Sequence, residues 1–191
     1  MNLSQIRDLA LKLSNSYSAD GILLPPSDVS DFKLACADFV NTAQNLLAKY
    51  DKIEEILTII QLTSDVGYIL NPLPTDLIGI NKVIFLDNYK HRTLFTDYTI
   101  EKGNIVIDGI YDGTFSIYYF KLPTDLVLDT DIPEANPSYH SYLAYYVAGE
   151  WLMSTGKESQ GIIRLNQFDN YISNIRATIN ESNGILNSTG W

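Results

Sequence analysis

Hydrophobic positions along the chain follow two periods, helical at both ends and alternating in the middle. Leu3, Ile6, Leu9, Ala10 and Leu13 share one helical face, which predicts an amphipathic helix over residues 3–16, capped by Asn2 or Ser4. Residues 18–28 read as a linker, in which Asp20-Gly21 turns the chain, Pro25-Pro26 keep it extended and the apolar run 22–24 docks onto the core. Ser27 or Asp28 caps a second helix from Val29 to Tyr50, with Phe32, Cys36, Phe39, Val40, Ala43 and Leu47 on its apolar face. Asn41, Gln44 and Asn45 flank that face.

From Ile53 the texture turns β-branched. A strand is expected over residues 55–63, then a loop over 64–73 containing Gly67 and Pro72. Residues 77–86 read as a helical turn or short strand followed by a clear strand, and residues 87–92 as a polar turn. Further strands are expected over 93–98, 101–108 and 115–120, with Lys102-Gly103 and Asp112-Gly113 as hairpin signals. The middle of the chain is thus expected to be an antiparallel meander of four or five short strands. In its last strand Phe115, Ile117 and Tyr119 alternate with Ser116, Tyr118 and Phe120, the pattern of a half-buried pleated surface.

Pro123 ends this ladder because it has no N–H to donate. An acidic corner follows, with Asp125, Asp129, Asp131 and Glu134 and no positive residue among them. Asn136 is placed as an N-cap and Pro137 in the first turn of a helix running to Gly156. Tyr142, Leu143, Tyr146 and Val147 fall on adjoining turns of it, and Ala144, Ala148 and Gly149 form a small-residue face that lets another helix approach closely. With Trp151 and Leu152 the surface is apolar nearly all round, which predicts a central core helix. A short turn leads to a last, antiparallel helix from Glu158 to Ile179, whose stripe holds Ile162, Ile163, Leu165, Phe168, Tyr171, Ile172, Ile175 and Ile179. Residues 180–191 read as a polar tail carrying Ile185, Leu186 and Trp191, apolar side chains best explained as anchors for another molecule.

The fold class is therefore α+β, a bundle of N- and C-terminal helices with an inserted antiparallel β-subdomain. Its expected segments are 1–52 (N-terminal helices), 53–123 (β-subdomain), 124–180 (C-terminal helices) and 181–191 (extended docking tail). Of the 191 residues 46% are hydrophobic and 19% charged, enough to bury a core. Thirteen Lys and Arg against 23 Asp and Glu give a net charge of −10, which argues against a phosphate-gripping surface without forbidding DNA to pass nearby. Neither a signal peptide nor a membrane span is expected.

No set of residues makes a catalytic constellation. Asp125, Asp129 and Asp131 are oxygen donors of the kind Ca²⁺ or Mg²⁺ takes, but they lack EF-hand spacing and a later bidentate Glu. With Glu134 they read better as a solvated corner or a subunit-contact loop. His91 and His140, with one distant cysteine, make no zinc pattern and read as surface or capping residues. Cys36 lies on an apolar helix face and reads as core. Among 13 tyrosines, Tyr111, Tyr118 and Tyr119 are the best candidates for a stacking platform, although sheet packing or an intersubunit surface explains them more simply. The expectation is a protein with no catalytic activity, cofactor or metal.

Three stretches carry a resemblance. They are Asp31-Phe32-Lys33 through Phe39-Val40-Asn41-Thr42-Ala43-Gln44; Leu73-Pro74-Thr75-Asp76 before a strand; and Ile117-Tyr118-Tyr119-Phe120-Lys121-Leu122-Pro123, followed by the acidic stretch and the helix of Tyr139-His140 and Leu143-Ala144-Tyr145-Tyr146-Val147-Ala148. In these the chain resembles the head-to-tail adaptor (connector) proteins of tailed bacteriophages. The resemblance implies a virion structural protein that forms a homo-oligomeric ring, usually a dodecamer, under the portal protein. Such a ring extends the DNA channel without specific binding and joins the capsid to the next neck or tail component. It also implies a place in the virion neck after assembly in the host cytoplasm, and a tail (Ile185, Leu186, Trp191) that docks on the portal. The alternatives are another oligomeric neck component, such as a stopper or tail-completion protein, or a small ligand-binding or hydrolytic domain.

Overall fold

The computed structural model describes residues 1–14, 26–63 and 67–188, with the backbone alone for residues 26–29 and 176–188. The linker expected over 18–28 falls mostly outside the described residues. The chain divides into two compact units, Met1–Asp51 with Pro123–Trp191, and Lys52–Leu122.

The first unit is helical. Helix α1 (Leu3–Leu13) starts on a capping box: the Gln5 N–H donates to the Asn2 side chain at 2.9 Å, and the Asn2 N–H donates back to Gln5 Oε1 at 3.0 Å. Asn2, not Ser4, is therefore the cap. Helix α2 (Pro26–Ala48) begins earlier than its sequence suggested, so Ser27 and Asp28 lie inside it. Proline is at home in that first position, where a missing N–H costs nothing. Asn136 caps a 3-10 turn over Pro137–Tyr139 that leads into α3 (His140–Ser154), and Gly156, in the left-handed region at φ 77°, ends that helix.

Helix α3 packs against α1, α2 and α4, as its apolar surface required. Ile6, Phe32, Val40, Leu143, Val147 and Phe168 are fully buried in the shared core. Trp151 meets Phe32 edge-on at 5.1 Å, and Tyr146 meets Phe168 at 5.1 Å. The small-residue face does bring a helix close: a Cβ on Gly149 would lie 2.7 Å from Leu165 Cγ, and one on Gly161 would lie 2.9 Å from the Gly149 carbonyl oxygen.

Helix α4 runs Glu158–Ser188, past the expected end at Ile179. Residues 181–188 are thus helical and not extended. Apolar periodicity reports burial rather than helicity, and no proline interrupts this stretch. Ile162 and Ile163, placed on the buried stripe by sequence, are 49% and 57% exposed. Gly161, Leu165 and Phe168 take the face toward α3, and that rotates the two isoleucines away.

The second unit is a β-sandwich. Strands β1 (Ile53–Gln61), β7 (Gly113–Lys121), β3 (Leu77–Asp87) and β4 (Arg92–Phe95) form one sheet in that order. Strands β2 (Tyr68–Pro72), β6 (Asn104–Asp108) and β5 (Tyr98–Glu101) form the other, and all pairs are antiparallel. The expected meander is corrected here, because the first and last strands pair with each other and the chain changes sheets. The loop assigned to 64–73 hides β2, a short edge strand, and the run 93–98 divides between β4 and β5. Lys102 and Gly103, at φ 49° and 78°, make the two-residue turn joining β5 to β6. Asp112-Gly113 is not a hairpin turn, because β6 and β7 belong to different sheets. Gly113 is needed instead for close approach, since a Cβ there would sit on the Leu86 carbonyl oxygen. Val83, Phe95, Ile105, Ile107, Phe115 and Ile117 fill the core.

Candidate functional site

The acidic corner between β7 and α3 is held by two amides of α2. Asn41 Nδ2 donates to the Leu126 carbonyl at 3.1 Å, and the Leu126 N–H donates to Asn41 Oδ1 at 2.8 Å. Gln44, fully buried, donates from Nε2 to the Thr124 carbonyl at 2.9 Å and to Asn41 Oδ1 at 3.1 Å. Helix α1 adds two of its unpaired N–H groups: Leu3 donates to the Asp131 carbonyl at 2.9 Å and Ser4 to that of Asp129 at 3.1 Å.

Most of the corner's carboxylates serve the corner itself. Arg7 reaches both oxygens of Asp129, from Nη1 at 2.7 Å and Nη2 at 3.3 Å, and Lys33 approaches at 3.5 Å. The Arg7 hydrogen bond holds the Asp129 carboxyl below its usual range. Asp131 Oδ2 accepts the N–H groups of Leu128 at 2.7 Å and Val127 at 2.8 Å, which likewise lower its pKa. Glu134 Oε1 accepts the Thr124 N–H at 3.2 Å. Asp125 is exposed and forms no ion pair among the described residues. Leu126 and Ala135 plug into the helical core, while Val127, Leu128 and Ile132 stand out at 75%, 62% and 64% exposure. An open groove of about 440 Å³ runs between α1, α2 and the corner, lined by Leu3, Arg7, Lys33, Leu34, Val127 and Asp129.

Among the described residues no group of three or more His, Cys, Asp or Glu side chains could hold a metal ion. His140 is buried, not the surface or capping residue its place at a helix start suggested. Its Nε2 lies 2.8 Å from the Ala135 carbonyl, which can only accept, so Nε2 carries the proton and Nδ1 accepts from the Met1 amine at 2.8 Å. His91 is exposed and pairs with Asp87 at 3.0 Å. Cys36 is core, and burial pushes its thiol up to about 12.

The three tyrosines do not form one platform. Tyr119 faces the core, Tyr118 points to the opposite side of β7, and Tyr111 packs in the sandwich with its hydroxyl donating to Asp97 at 3.0 Å. Ile185 and Leu186 lie on the backbone of α4 with their side chains outside the described residues, as is Trp191. No helix of the described residues is long and apolar enough to cross a membrane.

A family model described as "SU10 adaptor protein" matches residues 1–188. The chain belongs to that family. It is a family of phage head-to-tail adaptors, so the resemblance carried by the Asn41–Gln44 helix and the acidic corner is one of membership. The adaptor is a bacteriophage structural protein of the virion neck that interacts with other head and tail proteins. No curated protein matches the adaptor chain. In the adaptor the polar residues of the α2 motif gain a physical role: Asn41 and Gln44 fasten the corner to the bundle.

Proposed function

We propose that the adaptor assembles as a dodecameric ring beneath the portal protein, extends the DNA channel and offers a platform to the next neck or tail component, without catalysis. The observation that carries this reading is the family match over residues 1–188. Two features agree with it. A net charge of −10 gives DNA little to hold in passing. The acidic corner exposes three large apolar side chains, which suits a contact loop more than a solvated turn. In this reading Asp125, Asp129, Asp131 and Glu134 belong to the subunit contact, and residues 181–191, with Ile185, Leu186 and Trp191, dock on the portal.

Electron microscopy of the adaptor mixed with its portal is expected to show a closed ring on the portal's lower face. A complex without rotational symmetry overturns the ring. Removing residues from Ser182 onward is expected to lower the helical circular-dichroism signal only by the share of the last turns of α4, leaving a folded protein, and to abolish incorporation into particles. Normal incorporation removes the docking role from this segment.

A further inference from the structure

The four-stranded sheet has a second face, turned away from the sandwich core. Register places Ile60 and Leu86 in one cross-strand row, Ile84 and Leu94 in the next, and Ile56 in a third beside Tyr118. Ile56, Ile60 and Leu94 are 51%, 76% and 65% exposed. The solvent side of an antiparallel sheet is ordinarily polar, and a contiguous apolar patch marks a contact surface.

The charge on this face runs against the rest of the chain. Lys82 Nζ sits 4.5 Å over the Tyr118 ring, Arg92 Nη2 donates to the Tyr118 hydroxyl at 3.0 Å, and Lys52 Nζ sits 4.7 Å over Phe120. The ring faces hold the two lysines, and the Tyr118 hydroxyl holds Arg92, without neutralising them. None of the three forms an ion pair among the described residues. Beside Phe120 in the next row stands Glu54, which accepts from Asn81 at 2.6 Å.

The acidic corner has the complementary character. It has no Lys, Arg or His between Lys121 and His140, and although Arg7 and Lys33 neutralise Asp129, Asp125, Asp131 and Glu134 keep it acidic, with Val127, Leu128 and Ile132 exposed between them. We propose that the occupant of the sheet face is a second copy of this chain, whose acidic corner seats Val127, Leu128 and Ile132 on Ile60, Leu86 and Leu94 with Asp125 toward Lys82 and Arg92. This rests on the ring reading above and names the two surfaces that meet in it. In a ring such a contact is heterologous: each subunit offers its corner to one neighbour and its sheet face to the other.

The test uses full-length adaptor with its portal. Lys82→Glu with Arg92→Glu is expected to lower ring yield roughly tenfold, the scale of replacing attraction by repulsion at one contact. Adding Asp125→Lys is expected to restore part of it. Independently, Leu94→Cys combined with Val127→Cys is expected to give a ladder of disulfide-linked multimers on rings, with neither single variant doing so; the native Cys36 is buried and silent. Rings of wild-type yield from the double-Glu variant, or no ladder from the double-Cys variant, overturn the pairing while leaving the ring intact. Loss of binding to the next neck component with rings unchanged overturns it too, by assigning the sheet face to another protein. Wild-type adaptor that forms no ring overturns the ring reading itself, and the pairing with it.

Discussion

Asn41 pairs with both polar groups of the Leu126 backbone, a residue 85 positions away. Asn41→Ala leaves a partly buried N–H and carbonyl without these partners, and is expected to cost about 1–3 kcal/mol in urea unfolding. Nothing in the local sequence announces this. Asn41 and Gln44 look like ordinary flanking residues of an amphipathic helix, because their partners come from the far end of the chain. Arg7 and Asp129 are hidden in the same way. Asp129 and Asp131 have carboxyl pKa values below the ordinary one, so the stability they contribute is present above about pH 4 and drains away as pH falls through their native values. Asp129→Asn is expected to flatten the acid limb of a pH–stability curve; an unchanged limb would place the sensitivity elsewhere. The Cys36 thiol has the opposite sense. It is raised to about 12 by burial, so above about pH 8.5 the unfolded chain ionises first and native stability falls with rising pH. A thiol reagent at neutral pH is expected to modify Cys36 only once the chain is unfolded.

At the level of elements, α3 and α4 approach closely through glycines on both helices. A Cβ on Gly161 meets the Gly149 carbonyl oxygen at 2.9 Å, which is backbone and cannot swing aside, as well as Met153 Cγ at 2.7 Å. Gly161→Ala is therefore expected to destabilise by about 1–3 kcal/mol despite alanine's better helix propensity. Gly149→Ala meets the Leu165 side chain, which can turn, and reaches the Gly161 carbonyl oxygen only at 3.2 Å, so it is expected to cost less. Chemical denaturation of the two variants gives the order. The helices were legible in sequence because burial repeats along each one: Leu143, Val147, Ala144 and Ala148 marked α3 as central before any coordinates. Ile162 and Ile163 misled for the same reason, since hydrophobicity alone does not say which of two adjacent apolar rows turns inward. The strands were harder. Tyr68–Pro72 is short and ends in proline, so it reads as loop until β6 is laid beside it.

For the whole molecule, two levels of legibility separate. The α+β plan of helices flanking a sheet region follows from the change of period along the chain. The pairing of β1 with β7 and the change of sheet between β6 and β7 do not, because periodicity carries no information about partners distant in sequence. The excess of carboxylates, 23 against 13 cations, acts at this scale too. Linear duplex DNA is expected to migrate unshifted in the presence of the adaptor even at about 50 mM salt, where weak phosphate contacts would show. A retarded band would count against a smooth channel wall.

The pairing of Ile53 with Lys121 has one more consequence. The chain leaves for the sandwich and comes back from it on adjacent strands, about 5 Å apart. In terms of chain path the whole sandwich is an enlarged loop on a narrow neck, and a neck of that kind works as a socket. A different module with neighbouring ends can be grafted there without stretching the polypeptide on either side, so descendants of this scaffold can exchange this module while keeping the helical unit.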